Sequence, residues 1–110
     1  MPGVFETIKE QYFTIDTHYD FLFGNCKSDE EKKNFKRDYI IARSNYRKSL
    51  NLNFDENDPV ISGLVVDLQR LNDRIKKDIE SLDKVTNILS AISESVKIAS
   101  SIIVIVLSFS

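Results

Sequence analysis

Residues 59–110 read PVISGLVVDLQRLNDRIKKDIESLDKVTNILSAISESVKIASSIIVIVLSFS, and after Gly63 this stretch holds neither glycine nor proline. Along it Ile61, Leu68, Ile75, Leu82, Leu89, Val96 and Ile103 recur every seven residues. Leu64, Leu71, Asp78, Val85, Ile92, Ala99 and Val106 repeat that spacing three positions later. Two interleaved apolar positions in a sevenfold repeat mark a helix that lays a seam against a partner. Asp78 is the single polar seam residue. Ile79 stands beside it, so the stripe steps sideways through Leu71, Ile75, Ile79 and Leu82 without breaking, as at a coiled-coil stutter. Asp58-Pro59 opens the segment with an N-cap side chain and a proline at the first helical position, where its missing donor does no harm. The pattern predicts one long helix over residues 59–108.

Upstream, Phe5, Ile8, Tyr12, Ile15, Tyr19 and Leu22 alternate gaps of three and four, which predicts a helix over residues 4–23 with Phe13, Phe21 and Phe23 widening its apolar face. Gly24-Asn25 is expected to stop it through the left-handed conformation common just past a helix end. A second helix, residues 28–52, restarts at Ser28, where Glu31 stands in the capping-box position. Its apolar stripe is Phe35, Tyr39, Ala42, Tyr46 and Leu50. Two helices joined by so short a turn form an antiparallel hairpin.

Helix lengths then pose a question. The first two segments would span roughly 30 to 35 Å and the third about 70 Å, so the hairpin can cover only Ile61 to Leu82. That half would form a three-helix bundle with an aromatic-rich core. The remaining seam (Val85, Leu89, Ile92, Val96, Ala99, Ile103 and Val106) needs another copy of the chain, a different protein, or lipid. A break near Ser90 to Ser95 that folds the helix back into a four-helix bundle is the other option, with no glycine or proline there to invite it. The run from Ile98 to Phe109 reads as apolar on all sides, so Ile98, Ile102, Ile105, Leu107 and Phe109 would form a tip for an assembly core or a membrane. A full span needs about 20 apolar residues, and extending backwards meets Lys97 and Glu94. The β-branched run Ile102 to Val106 also suits a short buried strand.

The expected fold is therefore all-α and a single domain over residues 1–110: an antiparallel helical hairpin packed on the first half of a long, coiled-coil-like C-terminal helix. Three glycines, two prolines and 42% hydrophobic residues agree with long helices, and 29% charged residues place the chain among ordinary globular proteins. One cysteine excludes a disulfide framework. With no apolar run after Met1 to read as a cleaved signal, the expected compartment is reducing and cytoplasmic, with membrane association resting on the C-terminal segment alone.

A formal net charge of -2 gives no general field for nucleic acid. Its distribution is uneven, with Glu6, Glu10, Asp16 and Asp20 against Lys9 in the first helix and eight bases against four acids between Lys27 and Leu50. Lys32, Lys36, Arg43 and Arg47 share one face and offer contact to an anionic surface, unless they are simply a solvated face balancing the first helix. His18 has no companions at metal-ligand spacing. Cys26 sits in a turn without a triad. Asn53 to Asp58 carries alternating oxygens but lacks the glycine and glutamate of a calcium loop. Asp78 would face outwards at the stutter or pair with a base such as Arg43 or Arg47, and if buried it would act against stability and fix register. No cofactor, metal or small-molecule substrate is suggested. The expected function is a non-enzymatic interaction or assembly module that self-associates through its C-terminal helix, the alternative being a small membrane-acting protein that inserts the apolar tip as an oligomer.

Overall fold

The computed structural model describes residues 3–81 and 84–109, and over these the chain is helical with no strand. Five helices follow one another: α1 (Val4–Thr17), α2 (Tyr19–Gly24), α3 (Asp29–Ser49), α4 (Pro59–Glu80) and α5 (Val85–Ser108). The expected long helix is thus two helices. A rod of some 70 Å is replaced by a body whose longest dimension is 41 Å. Leu82, one of the seam positions, lies outside the described residues.

The chain turns back between Glu80 and Val85 without glycine or proline. Ser81 ends α4 by donating its backbone N–H to Lys77 O and its hydroxyl to Asp78 O, which occupies two carbonyls the lost turn would leave bare. Interrupting a helix forfeits a few hydrogen bonds at about 1 kcal/mol net each. Folding back buries Ile88, Ile92, Val96, Ile102, Ile103 and Val106, each worth roughly 1.5 to 3 kcal/mol. Tertiary burial therefore outweighs the absence of a breaker.

The helices form a four-cornered bundle. One hairpin is α1–α2 against α3, the other α4 against α5; α1 packs on α3 and α4, and α5 packs on the same two. Between the hairpins the neighbours are parallel. Thr7 meets Gln69 and Asn72 while Glu10 meets Lys76, so α1 and α4 run the same way. Three polar rungs join α3 to α5: Thr86 Oγ1 to Glu31 Oε2 at 3.3 Å, Ser93 Oγ to Asp38 Oδ2 at 2.5 Å, and Asn45 Nδ2 to Ser100 Oγ at 3.0 Å. All three have a sequence separation of 55 and follow one another every seven residues, which fixes a parallel register. Residues 50–58 must then cross the end of the bundle diagonally.

Caps read from the sequence are present, with one change of partner. Ser28 Oγ accepts from Glu31 N at 3.1 Å, but the Glu31 carboxylate reaches Lys27 N at 2.6 Å, one residue beyond the usual reciprocal partner. Asp58 Oδ1 accepts from Val60 N and Ile61 N above Pro59. The first helix differs more. It kinks at His18, whose ring Nδ1–H donates to Thr14 O at 2.8 Å, and neither Gly24 nor Asn25 adopts the left-handed conformation. Asn25 Nδ2 takes Phe21 O and Cys26 Sγ takes Leu22 O instead, so side chains satisfy the last carbonyls.

Two apolar clusters fill the interior. One joins Ile15, Leu22, Phe35, Ile75, Ile88 and Ile92, the other Val4, Ile8, Ile61, Leu68, Ile102 and Ile103. The aromatic residues do not form the core that the sequence suggested. Phe5, Tyr12, Phe13, Tyr19, Phe23, Phe35, Tyr39 and Tyr46 make a continuous run of ring contacts, 4.7 to 6.1 Å between centroids, which fastens the first hairpin. Of these eight only Phe35 is fully buried. Leu50, the last residue of the second apolar stripe, faces solvent.

Candidate functional site

Helix directions bring the start of α1, the end of α3, the start of α4 and the end of α5 to one end of the bundle, beneath the linker. The linker is tied down there by a contact between residues far apart in sequence: Glu56 Oε1 accepts from Val4 N at 3.1 Å. Gly3, at the N-cap, has no side chain to offer, so a carboxylate 52 residues away does the capping and faces the positive end of the α1 dipole. A Cβ at Gly3 would meet that same carboxylate at 3.0 Å and Glu6 Oε2 at 2.8 Å, so a larger residue there would displace the two glutamate side chains.

Apolar surface collects at this end. Leu50 is 55% exposed, Val60 59%, Val104 62%, Leu107 47% and Phe109 77%. A cavity of about 520 Å³ opens beside them, with Leu52, Ile61, Val106 and Phe109 as apolar walls and Asp55 and Asp58 at its polar margin. Arg47 and Lys48, both exposed, stand on the last turn of α3 at the same end.

Of the predicted seam residues only Val106 lines this cavity. Ile92, Val96, Ala99, Ile103 and Val106 are buried within the chain's own bundle, and Val85 and Leu89 are half-buried. They do not wait for a partner, because α3 and α4 already cover them. Of the apolar tip, Ile102 is buried, Ile98 and Ile105 are half-buried, and only Leu107 and Phe109 are exposed. Nor is the run apolar on every side. The outward stripe of α5 is Asn87, Ser90, Glu94, Lys97, Ser101, Val104 and Ser108. Ser101 and Ser108 donate to the carbonyls of Lys97 and Val104, so both hydroxyls are bonded within the helix that carries them.

The basic face of α3 is divided. Lys36 and Arg47 are exposed, whereas Lys32 lies over the Phe23 ring at 5.8 Å and Arg43 over Tyr39 at 5.7 Å. Two of the four cations are thus half-buried against the first hairpin's own rings. Asp78 pairs with Arg74 of its own helix at 3.6 Å, not with Arg43 or Arg47.

Near the opposite end, Tyr39 Oη donates to Asp16 Oδ1 at 2.6 Å and lies 3.5 Å from Tyr12 Oη. The bond to the Asp16 carboxylate, then that to Tyr12, holds the Tyr39 phenol well above the usual tyrosine range. A phenol raised in the fold stabilises it fully below the unfolded value of about 10, and that contribution is lost as pH climbs towards the folded value. Alkaline titration of tyrosinate absorbance, with no tryptophan to overlap, is expected to show one late step that Tyr39→Phe removes. Burial, helped by Glu31 and opposed by Lys32, raises the Cys26 thiol, and Sγ donates to Leu22 O, both of which disfavour a nucleophilic thiolate. Among the described residues no three His, Cys, Asp or Glu side chains stand together to hold a metal ion. No family model matches the sequence, and neither a curated protein nor a solved structure is similar to it.

Proposed function

We propose that this protein is a non-enzymatic interaction module that self-associates through the apolar end of its bundle. The observation that supports this reading is the gathering of Leu50, Val60, Val104, Leu107 and Phe109 at one end, exposed beside a linker pinned in place by Glu56. Exposed apolar side chains with charged neighbours at one end of a bundle are features expected of an association site. A second copy is the occupant that fits best, because the rim carries both signs. The acids Asp55 and Asp58 lie on the linker, and Arg47 and Lys48 on the end of α3. A two-fold axis would bring the acids of one copy to the bases of the other.

Light scattering in detergent-free buffer tests this. The wild type is expected at twice the chain mass of 12.7 kDa or a higher multiple. The Leu107→Asp/Phe109→Asp variant should fall to the single-chain mass with its helical content unchanged, since both side chains point outward. A wild type that runs as a single chain at high concentration would remove the self-association reading.

A second reading has one observation in its favour. At 24 residues α5 is long and apolar enough by length and composition to cross a bilayer. In that reading the bundle shelters α5 until it meets lipid, and its serine-rich outward stripe would face the other α5 helices of an oligomer. Flotation of the wild type with phosphatidylcholine vesicles, absent for the same double variant, would favour it.

A further inference from the structure

The end cavity shares Asp55, Asp58 and Phe109 with the proposed self-association surface, and its concave shape adds a chemistry of its own. Its walls are aliphatic and aromatic, from Leu52, Ile61, Val106 and Phe109, and its volume of about 520 Å³ falls in the range of small-ligand pockets. Every charged residue lining it is acidic, namely Asp55 and Asp58. Val106 and Phe109 line the cavity from the C-terminal turn of α5, and Asp58 and Ile61 from the N-terminal turn of α4, so opposite ends of two helix dipoles meet there and the two carboxylates set the sign of the lining. Part of the acid charge is already engaged: Asp58 Oδ1 caps α4, and Asp55 Oδ1 accepts from Asn57 N at 3.0 Å. Those bonds also hold both carboxylates in place, so a cation entering the cavity meets acceptors that are already oriented.

An apolar body with a positive head fits this arrangement. An anion would be repelled by both carboxylates, and a neutral apolar molecule would leave the acidic margin unused. We propose that the cavity between the linker and the end of α5 binds a small organic ammonium, an amine carried on a short alkyl or aryl chain, with the chain against Ile61, Val106 and Phe109 and the ammonium at Asp55 and Asp58.

Two probes of matched shape and opposite charge test this on the full chain: 4-phenylbutylammonium and 4-phenylbutyrate, titrated at neutral pH and followed by amide chemical shifts. The ammonium probe is expected to saturate, to shift the amides of Leu52, Asn53, Ile61 and Val106, and to bind roughly tenfold more tightly than the carboxylate probe. Asp55→Asn with Asp58→Asn removes both charges while keeping the oxygens that cap the turn and α4, asparagine being as good an N-cap as aspartate. This double variant should weaken the ammonium probe by about three- to tenfold and leave the fold unchanged. Equal binding of the two probes, shifts confined to another face, or a double variant that binds like wild type would each overturn the proposal. Because Asp55 and Asp58 also lie on the rim of the proposed self-association surface, light scattering accompanies each titration and the probes are compared at a protein concentration where wild type and double variant have the same mass, so that a change in probe affinity reports on the cavity alone.

Discussion

Ile103→Asp is expected to unfold the protein. Ile103 is 2% exposed and belongs to the cluster that joins Val4, Ile8, Ile61, Leu68 and Ile102 from three helices. A carboxylate there has no cation to meet, and the loss of apolar burial adds to the cost of desolvating the charge. Several kcal/mol is comparable to the whole stability of a domain of this size, about 5 to 15 kcal/mol. Circular dichroism should show loss of the cooperative thermal transition, with tyrosine ellipticity lost together with the helical signal. The contrast with Leu107→Asp/Phe109→Asp is informative, because those residues lie within one helical turn or so of Ile103 yet face outward. A folded Ile103→Asp protein with altered mass alone would mean that Ile103 faces a partner and that α5 does not pack as described.

Ending the chain after Val96 has the second large expected effect. Read as half of a protruding helix, the deleted segment would be dispensable to the fold. In the bundle it removes Ala99, Ile102, Ile103 and Val106, and Val4, Ile8, Ile61, Val65 and Leu68 lose the helix that covers them. It also removes Ser100, the partner of Asn45 in the last α3–α5 rung. Four buried side chains at roughly 1.5 to 3 kcal/mol each, aside from Ala99 at the low end, exceed what a small domain can lose. The shortened chain should show narrow amide dispersion and no sharp melting. A well-dispersed, cooperatively melting fragment would show instead that the fold needs only α1 to α4 and the first half of α5.

Local signals were the legible ones. Ser28, Glu31, Asp58 and Pro59 announce their helix starts because capping acts over three or four residues. The step from Asp78 to Ile79 also reads correctly, since Ile79 is buried and Asp78 turns to Arg74. The long helix fails for a physical reason. A seam that waits for another chain and two seams that face each other in a hairpin have the same repeat, and no glycine or proline separates the alternatives. What decides between them is burial on α3, which is not local. The apolar tip misleads in a related way: Ser101 and Ser108 satisfy their hydroxyls on their own helix, so a stripe that faces water interrupts the apolar run only weakly. The end site was the least legible part. Glu56 finds Val4 only because the linker crosses the bundle diagonally, and nothing near either residue foretells the bond.

The rungs between α3 and α5 bear on how the chain reaches this shape. Each joins residues 55 positions apart, whereas the ring contacts across the first hairpin start from the 20-position loop between Tyr19 and Tyr39 and extend outwards to Phe5 and Tyr46. Closing short loops first costs less chain entropy, so the two hairpins are the units that form early and their docking is the late step. The linker then sets the speed of that step by holding the hairpins at high effective concentration. Cutting it between Asn53 and Asn57 would turn the last event of folding into an encounter between two molecules, with a rate that rises with protein concentration.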